Sequence, residues 1–140
     1  MGKSIIVNNA VFSNSIPSAF LWQSGNRSGS TGALQPVYNN MVSSREIADI
    51  LDDVVIMSAD NYEGVTLEVC LWTANSGFIR RINAVEGTIV LRMSDYPTAK
   101  KITCEFGNKD ASNPLSLDDV SEFITEKGVK VTGCSKSIIP

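Results

Sequence analysis

Histidine is missing altogether from the 140 residues. Without it the chain lacks the one side chain whose unperturbed pKa lies near neutrality, and also the commonest metal ligand. Ser-His-Asp and Cys-His catalysis are excluded. Zinc would need thiolates and carboxylates alone, and their spacing does not make such a site. Cysteine is scarce. Cys70, Cys104 and Cys134 are odd in number and form no CxxC. They read as buried free thiols rather than a disulfide framework. Positive charge is scarce too: 12 Lys and Arg against 15 Asp and Glu give a net charge of −3, and the pI is near 4.9. The basic residues are scattered, with Arg80-Arg81 and Lys100-Lys101 only as pairs, so no nucleic-acid footprint is formed. No apolar run approaches the length of a membrane span. The opening Ile5-Ile6-Val7 is short and runs into Asn8-Asn9, so it does not read as a signal peptide. Nothing calls for a cofactor.

What is present suits a single domain spanning residues 1–140, with 43% apolar and only 19% charged residues. Ser, Asn and Thr fill the difference, a mixture that favours strands and loops over long helices. Two polar, Gly-rich stretches, Gln23–Leu34 and Gly107–Pro114, read as loops. Between them alternation dominates. In Val65–Trp72, "VTLEVCLW", Val65, Leu67, Val69 and Leu71 share one face, while Thr66, Glu68, Cys70 and Trp72 share the other. In Lys101–Phe106, "KITCEF", Ile102, Cys104 and Phe106 point inward. Cys104 is then inside and Cys70 outside, which argues against a bridge between them. Further strands are expected at Ile5–Val7, Ala19–Trp22, Val54–Met57, Phe78–Arg81, Thr88–Leu91 and Val129–Val131. Many short strands punctuated by turns argue for a sandwich or barrel. Ser116–Phe123 reads as one or two helical turns, with Ser116 as N-cap and acids in the first turn. Ser43–Asp52 is open: a capping-box pattern and an Ile47, Ile50, Leu51 stripe favour helix, but Val42–Ile47 can also be extended.

The segments also resemble, as a set, the jelly-roll modules of structural proteins from bacteriophages of gut Bacteroidetes (crAss-like). The pieces are "IIVNNAVFSNSI" (Ile5–Ile16), "MVSSREI" (Met41–Ile47), "LEVCLWTANSGFI" (Leu67–Ile79) and, most specifically, "YPTAKKITCEFGNKDASNPLSLDDV" (Tyr96–Val120). Together they cover about half of the chain. Val11 stands where those openings carry an acid, and Lys101-Ile102 where an aromatic-Ile pair is usual. The resemblance implies an all-β, jelly-roll-like β-sandwich with one or two short helical turns. It also implies an extended Val42–Ile47, and a place on the surface of a virion or attached to a cell-surface carbohydrate.

Three aromatics are candidate binding residues. Trp72 faces away from the core side of its strand, so it is either an exposed stacking platform or is packed beneath a loop or arm. Trp22 precedes the Gly/Ser loop and Tyr62 sits in a turn; each is a recognition element or a core-edge aromatic. Asp52-Asp53 and Asp118-Asp119 point in different directions and do not make a glycosidase pair. Asn108, Asp110 and Asn113 crowd one loop with hard oxygen ligands but lack a full calcium motif. Gly25, Gly29 and Gly32 have no following Lys-Ser/Thr, so they do not make a phosphate loop. No catalytic residue and no metal site are assigned. Residues 1–15 read as an N-terminal edge strand or arm that adds to a sheet and pairs subunits.

The expected function is a non-enzymatic virion structural protein: a capsid-decoration, fibre or tail component assembled in the host cytoplasm. Its partners would be other virion proteins and copies of itself, joined through sheet edges and apolar patches. The alternative is a carbohydrate-binding adhesion module that recognises host or mucosal glycans. Neither nucleic acid nor membrane is an expected partner.

Overall fold

The computed structural model describes Ser4–Val7, Ala10–Ser13 and residues 22–134. Its strands are β1 (Ser4–Val7), β2 (Ala10–Ser13), β3 (Trp22–Ser24), β4 (Asn26–Arg27), β5 (Leu34–Gln35), β6 (Met41–Ser44) and β7 (Ala48–Asp49). They continue as β8 (Val54–Ala59), β9 (Val65–Trp72), β10 (Phe78–Asn83), β11 (Thr88–Arg92), β12 (Lys101–Asn108) and β13 (Val129–Thr132). One helix, α1 (Val120–Lys127), lies between β12 and β13.

Apolar alternation in the long strands builds two facing sheets. The larger runs β10-β9-β12-β6-β3, with β7 also pairing β12. The smaller runs β11-β8-β13. All their pairings are antiparallel. One core is shared between them. Val42, Leu67, Val69, Leu71, Ile102, Cys104 and Phe106 come from the larger sheet, and Val55, Met57, Ile89, Leu91, Val129 and Val131 from the smaller. Helix α1 closes one end of the core with Val120 and Phe123, and the Phe123 ring stacks on Phe106 at 5.6 Å. The protein is thus all-β, with a sandwich-like packing of antiparallel sheets and one short helix.

Local chemistry fixes the connections. The β9–β10 hairpin turns over Thr73–Gly77, where the Gly77 N–H donates to Thr73 Oγ1 at 3.0 Å. Chain crossing from β10 to β11 uses a tight turn with Glu86 and Gly87 both at positive φ. Ser116 caps a short 3-10 turn, Leu117–Asp119, by accepting from the Asp118 N–H at 3.2 Å. Helix α1 continues from it and stops at Gly128, whose φ of 67° is the left-handed C-terminal conformation.

The strands expected at Val54–Met57, Val65–Trp72, Phe78–Arg81, Thr88–Leu91, Lys101–Phe106 and Val129–Val131 all form, several of them one or two residues longer. The ambiguous 43–52 segment is extended, through β6 and β7, because each strand gains a ladder partner in the larger sheet. At the N-terminus β1 pairs with β2, from Ser4↔Ser13 to Val7↔Ala10. Among the described residues neither of them joins the two larger sheets. The remainder of the expected arm, and residues 19–21 of the strand expected at 19–22, lie outside the described residues.

One alternative left open by the sequence, Trp72 exposed or packed beneath a loop or arm, is decided for the second. The face of β9 carrying Glu68, Cys70 and Trp72 points away from the apolar core, but water does not cover it. Trp72 is 7% exposed and Cys70 0%. The β4–β5 hairpin lies over them. Leu67 at 2% and Leu71 at 0% are sealed on the opposite face, so the middle of the larger sheet is buried on both sides.

Candidate functional site

The buried polar face under the hairpin brings together Glu68, Glu105, Cys70, Arg27 and Arg81. It is built by register. Glu68 and Glu105 are direct cross-strand partners on β9 and β12, Thr103 faces Cys70 in the next row, and Ser43 on β6 faces Glu105. Arg81, on β10, pairs with Cys70 from the other side.

Two carboxylates placed opposite each other on one sheet repel. Burial adds to this, because it disfavours the charged form of each. Glu105 is fully buried and Glu68 is 7% exposed. The Glu105 carboxyl is pushed from its ordinary 4.5 up to about 7, first by burial and then by the Glu68 charge. Glu68 is also raised, chiefly by burial, with the Arg81 charge and a hydrogen bond to Glu105 acting against it. The Arg81 Nε lies 3.9 Å from Glu68 Oε1. One shared proton between the two acids is the arrangement these effects favour near neutral pH.

The hairpin is anchored to this pair. The Arg27 backbone N–H donates to Glu105 Oε2 at 2.5 Å, and the Cys70 thiol lies 3.5 Å from Glu105 Oε1. The Arg27 guanidinium bonds to backbone carbonyls, not to the acids. It donates to the carbonyls of Gly32 and Ser44, each at 3.0 Å, and sits 5.6 Å over the Trp72 ring. Arg81 donates in turn to the Arg27 carbonyl at 2.9 Å. The Ser43 hydroxyl donates to the Gly25 carbonyl at 2.7 Å. Gly32, with φ +77°, lets the loop lie directly on Trp72: a Cβ there would stand 2.5 Å from the indole. The closure is incomplete in one respect. Asn26 Oδ1, Arg27 Nε and Glu68 Oε1 are buried without a hydrogen-bond partner among the described residues. Chemically, the arrangement holds a proton and pins a loop.

The three aromatics singled out from the sequence end up apart. Trp72 lies under the hairpin, its Nε1 donating to Thr103 Oγ1 at 3.0 Å and its edge meeting Phe78 at 5.5 Å. Trp22 packs edge-on against Phe106 at 4.7 Å, at the margin of the core. Tyr62 is 44% exposed. Its side chain packs closely on Gly87, where a Cβ would come within 2.3 Å of Tyr62 Cβ and Cγ. It lines an open cleft of about 330 Å³ with Glu63, Thr66, Asn83, Glu86 and Lys109, and a second of about 400 Å³ with Asp60 and Lys127.

Other polar groups weighed from the sequence serve local structure. Asp110 accepts from both the backbone and the hydroxyl of Ser112, and Asn108 donates to the Asn113 carbonyl. Asp118 lies in the 3-10 turn capped by Ser116. Cys70, Cys104 and Cys134 are free thiols, and burial pushes Cys134 up to about 12.

Sequence reading missed Glu68, Glu105, Arg27 and Arg81. The signal was present in part: strand phase placed Glu68 beside Cys70 and Glu105 beside Thr103. The cover was not visible, because it depends on the Gly25–Gln35 segment folding back over the sheet. Compared with protein-family models, curated proteins and solved structures, the chain matches none.

Proposed function

We propose that this chain is a non-enzymatic virion structural protein, a decoration, fibre or tail component, that assembles with copies of itself and with other virion proteins. The observation that carries the reading is the open edge of the smaller sheet. Among the described residues no strand pairs with the outer side of β11. Its outward residues include Val90 at 51% exposed, and Val85, in the adjoining turn, is 76% exposed. An unprotected ladder edge flanked by exposed valines is a natural pairing surface. A jelly-roll winding is the finer reading of the fold. It is supported by the segment resemblance, and by the way the chain passes between sheets so that β9 and β10 are the one consecutive pair within the two larger ones. Light scattering coupled to size-exclusion chromatography tests assembly. A discrete oligomer is expected, dissociating in Val90→Lys, which puts a charge on the edge. A monomer at every accessible concentration would refute the reading.

The alternative, glycan binding, is favoured at one place. Tyr62 presents an aromatic face beside amide, carboxylate and ammonium groups in an open cleft. A glycan array with wild type and Tyr62→Ala checks it. Signal lost in the variant is expected, and silence on every glycan removes this alternative.

A further inference from the structure

We infer that the Gly25–Gln35 segment is a proton-held latch: Glu68 and Glu105 share one proton while it is shut, and loss of that proton frees the segment and uncovers Trp72. The geometry supplies each part. The acids are cross-strand partners, and one of them is the acceptor for the Arg27 amide. The groups facing them are Cys70 from β9, Thr103 from β12, Arg81 from β10, Ser43 from β6 and Arg27 from the hairpin. Of the two cations, Arg81 lies near Glu68, whereas Arg27 spends its guanidinium on two carbonyls and the indole. A second negative charge therefore has no cation of its own in the shut state. When the proton passes to solvent, the pair carries two charges in a largely buried site, with Glu105 fully covered and Glu68 only 7% exposed. Relief comes from whichever cover yields most easily.

That cover is the hairpin. Its own ladder has two residue pairs, Asn26↔Gln35 and Arg27↔Leu34, whereas β9 and β12 are held over eight. Its tip, Gly29–Thr31, is exposed. The buried, unpartnered Asn26 Oδ1 and Arg27 Nε gain hydration on opening. Opening breaks the anchors of Gly25 and Arg27 but leaves the eight-pair ladder and the core intact, so it needs less free energy than parting the sheets.

Amide hydrogen exchange on the full chain, corrected for intrinsic exchange chemistry, reads the latch. Between pH 5.5 and 8 the Arg27 amide is expected to lose protection by at least about tenfold, nearly all of it below the pH at which the shut pair gives up its proton, because only there does opening release one, while Val69 in the core does not follow it. In Glu105→Gln the loss is expected to vanish, because a carboxamide oxygen still accepts from Arg27 and never ionises. Glu68→Gln removes the repulsion and serves as the second variant. A wild-type change smaller than threefold, a parallel loss at Val69, or a loss that persists in both variants overturns the inference. Should either variant not fold, the wild-type comparison of Arg27 with Val69 still decides it.

Discussion

At the scale of single residues, Glu105 couples stability to pH. Its folded-state pKa of about 7 lies above the ordinary 4.5, so between these values the native state binds more protons than the unfolded chain. Stability contributed by the protonated form is complete below about pH 4.5 and falls as pH rises through 7. The loss is on the order of 3 kcal/mol at about 1.4 kcal/mol per pKa unit. Denaturant melts of wild type and Glu105→Gln at pH 5 and 8 should show a steep loss in the first and a flatter profile in the second. Gly32 offers a companion measurement that does not depend on pH. Gly32→Ala sets a methyl group against the indole in a backbone conformation that L-residues avoid, and a cost of at least about 1 kcal/mol is expected from its thermal melt.

At the scale of elements, α1 depends on a single side-chain cap for its lead-in turn. Ser116→Ala removes the acceptor of the Asp118 amide and should cost about 1 kcal/mol, read as a lowered denaturation midpoint. This helix start was legible in the sequence, as were the strands whose alternation is strong, above all β9 and β12. Val65–Trp72 forms with the bounds its pattern gave, because period-two patterning and a buried face enforce one register. What alternation cannot say is whether the polar side meets water. Glu68, Cys70 and Trp72 look like a solvent face, and become an interior only because Arg27, Gly25 and Gly32 bring distant backbone onto them. The 43–52 segment shows the complementary failure. Its capping-box pattern favours helix locally, and ladder partners on β12 and β3 overrule it. Tyr62, by contrast, was legible as a turn aromatic, but its exposure was left open between recognition element and core edge, and the cleft beside it needs the β10–β11 turn to exist.

At the scale of the whole molecule, the proposal of assembly has a thermodynamic signature apart from size. An oligomer that associates only when folded is stabilised by mass action. Its melting temperature should rise with protein concentration, and Val90→Lys should abolish that dependence while leaving the monomer's own melt near the low-concentration value. Calorimetry across a hundredfold concentration range checks this. A melting temperature independent of concentration in wild type would speak against assembly through the β11 edge.

The hairpin's construction also has a practical use. Its grip on the sheet runs through Gly25, Arg27 and Gly32, whereas Ser30 and Thr31 at its apex are exposed. A guest peptide spliced between Ser30 and Thr31 would ride outside the molecule, replacing only the apex turn that Ser28 closes. The apex is therefore a grafting position for an epitope or a fluorophore, and a probe seated there would report in real time whether the lid is down or lifted.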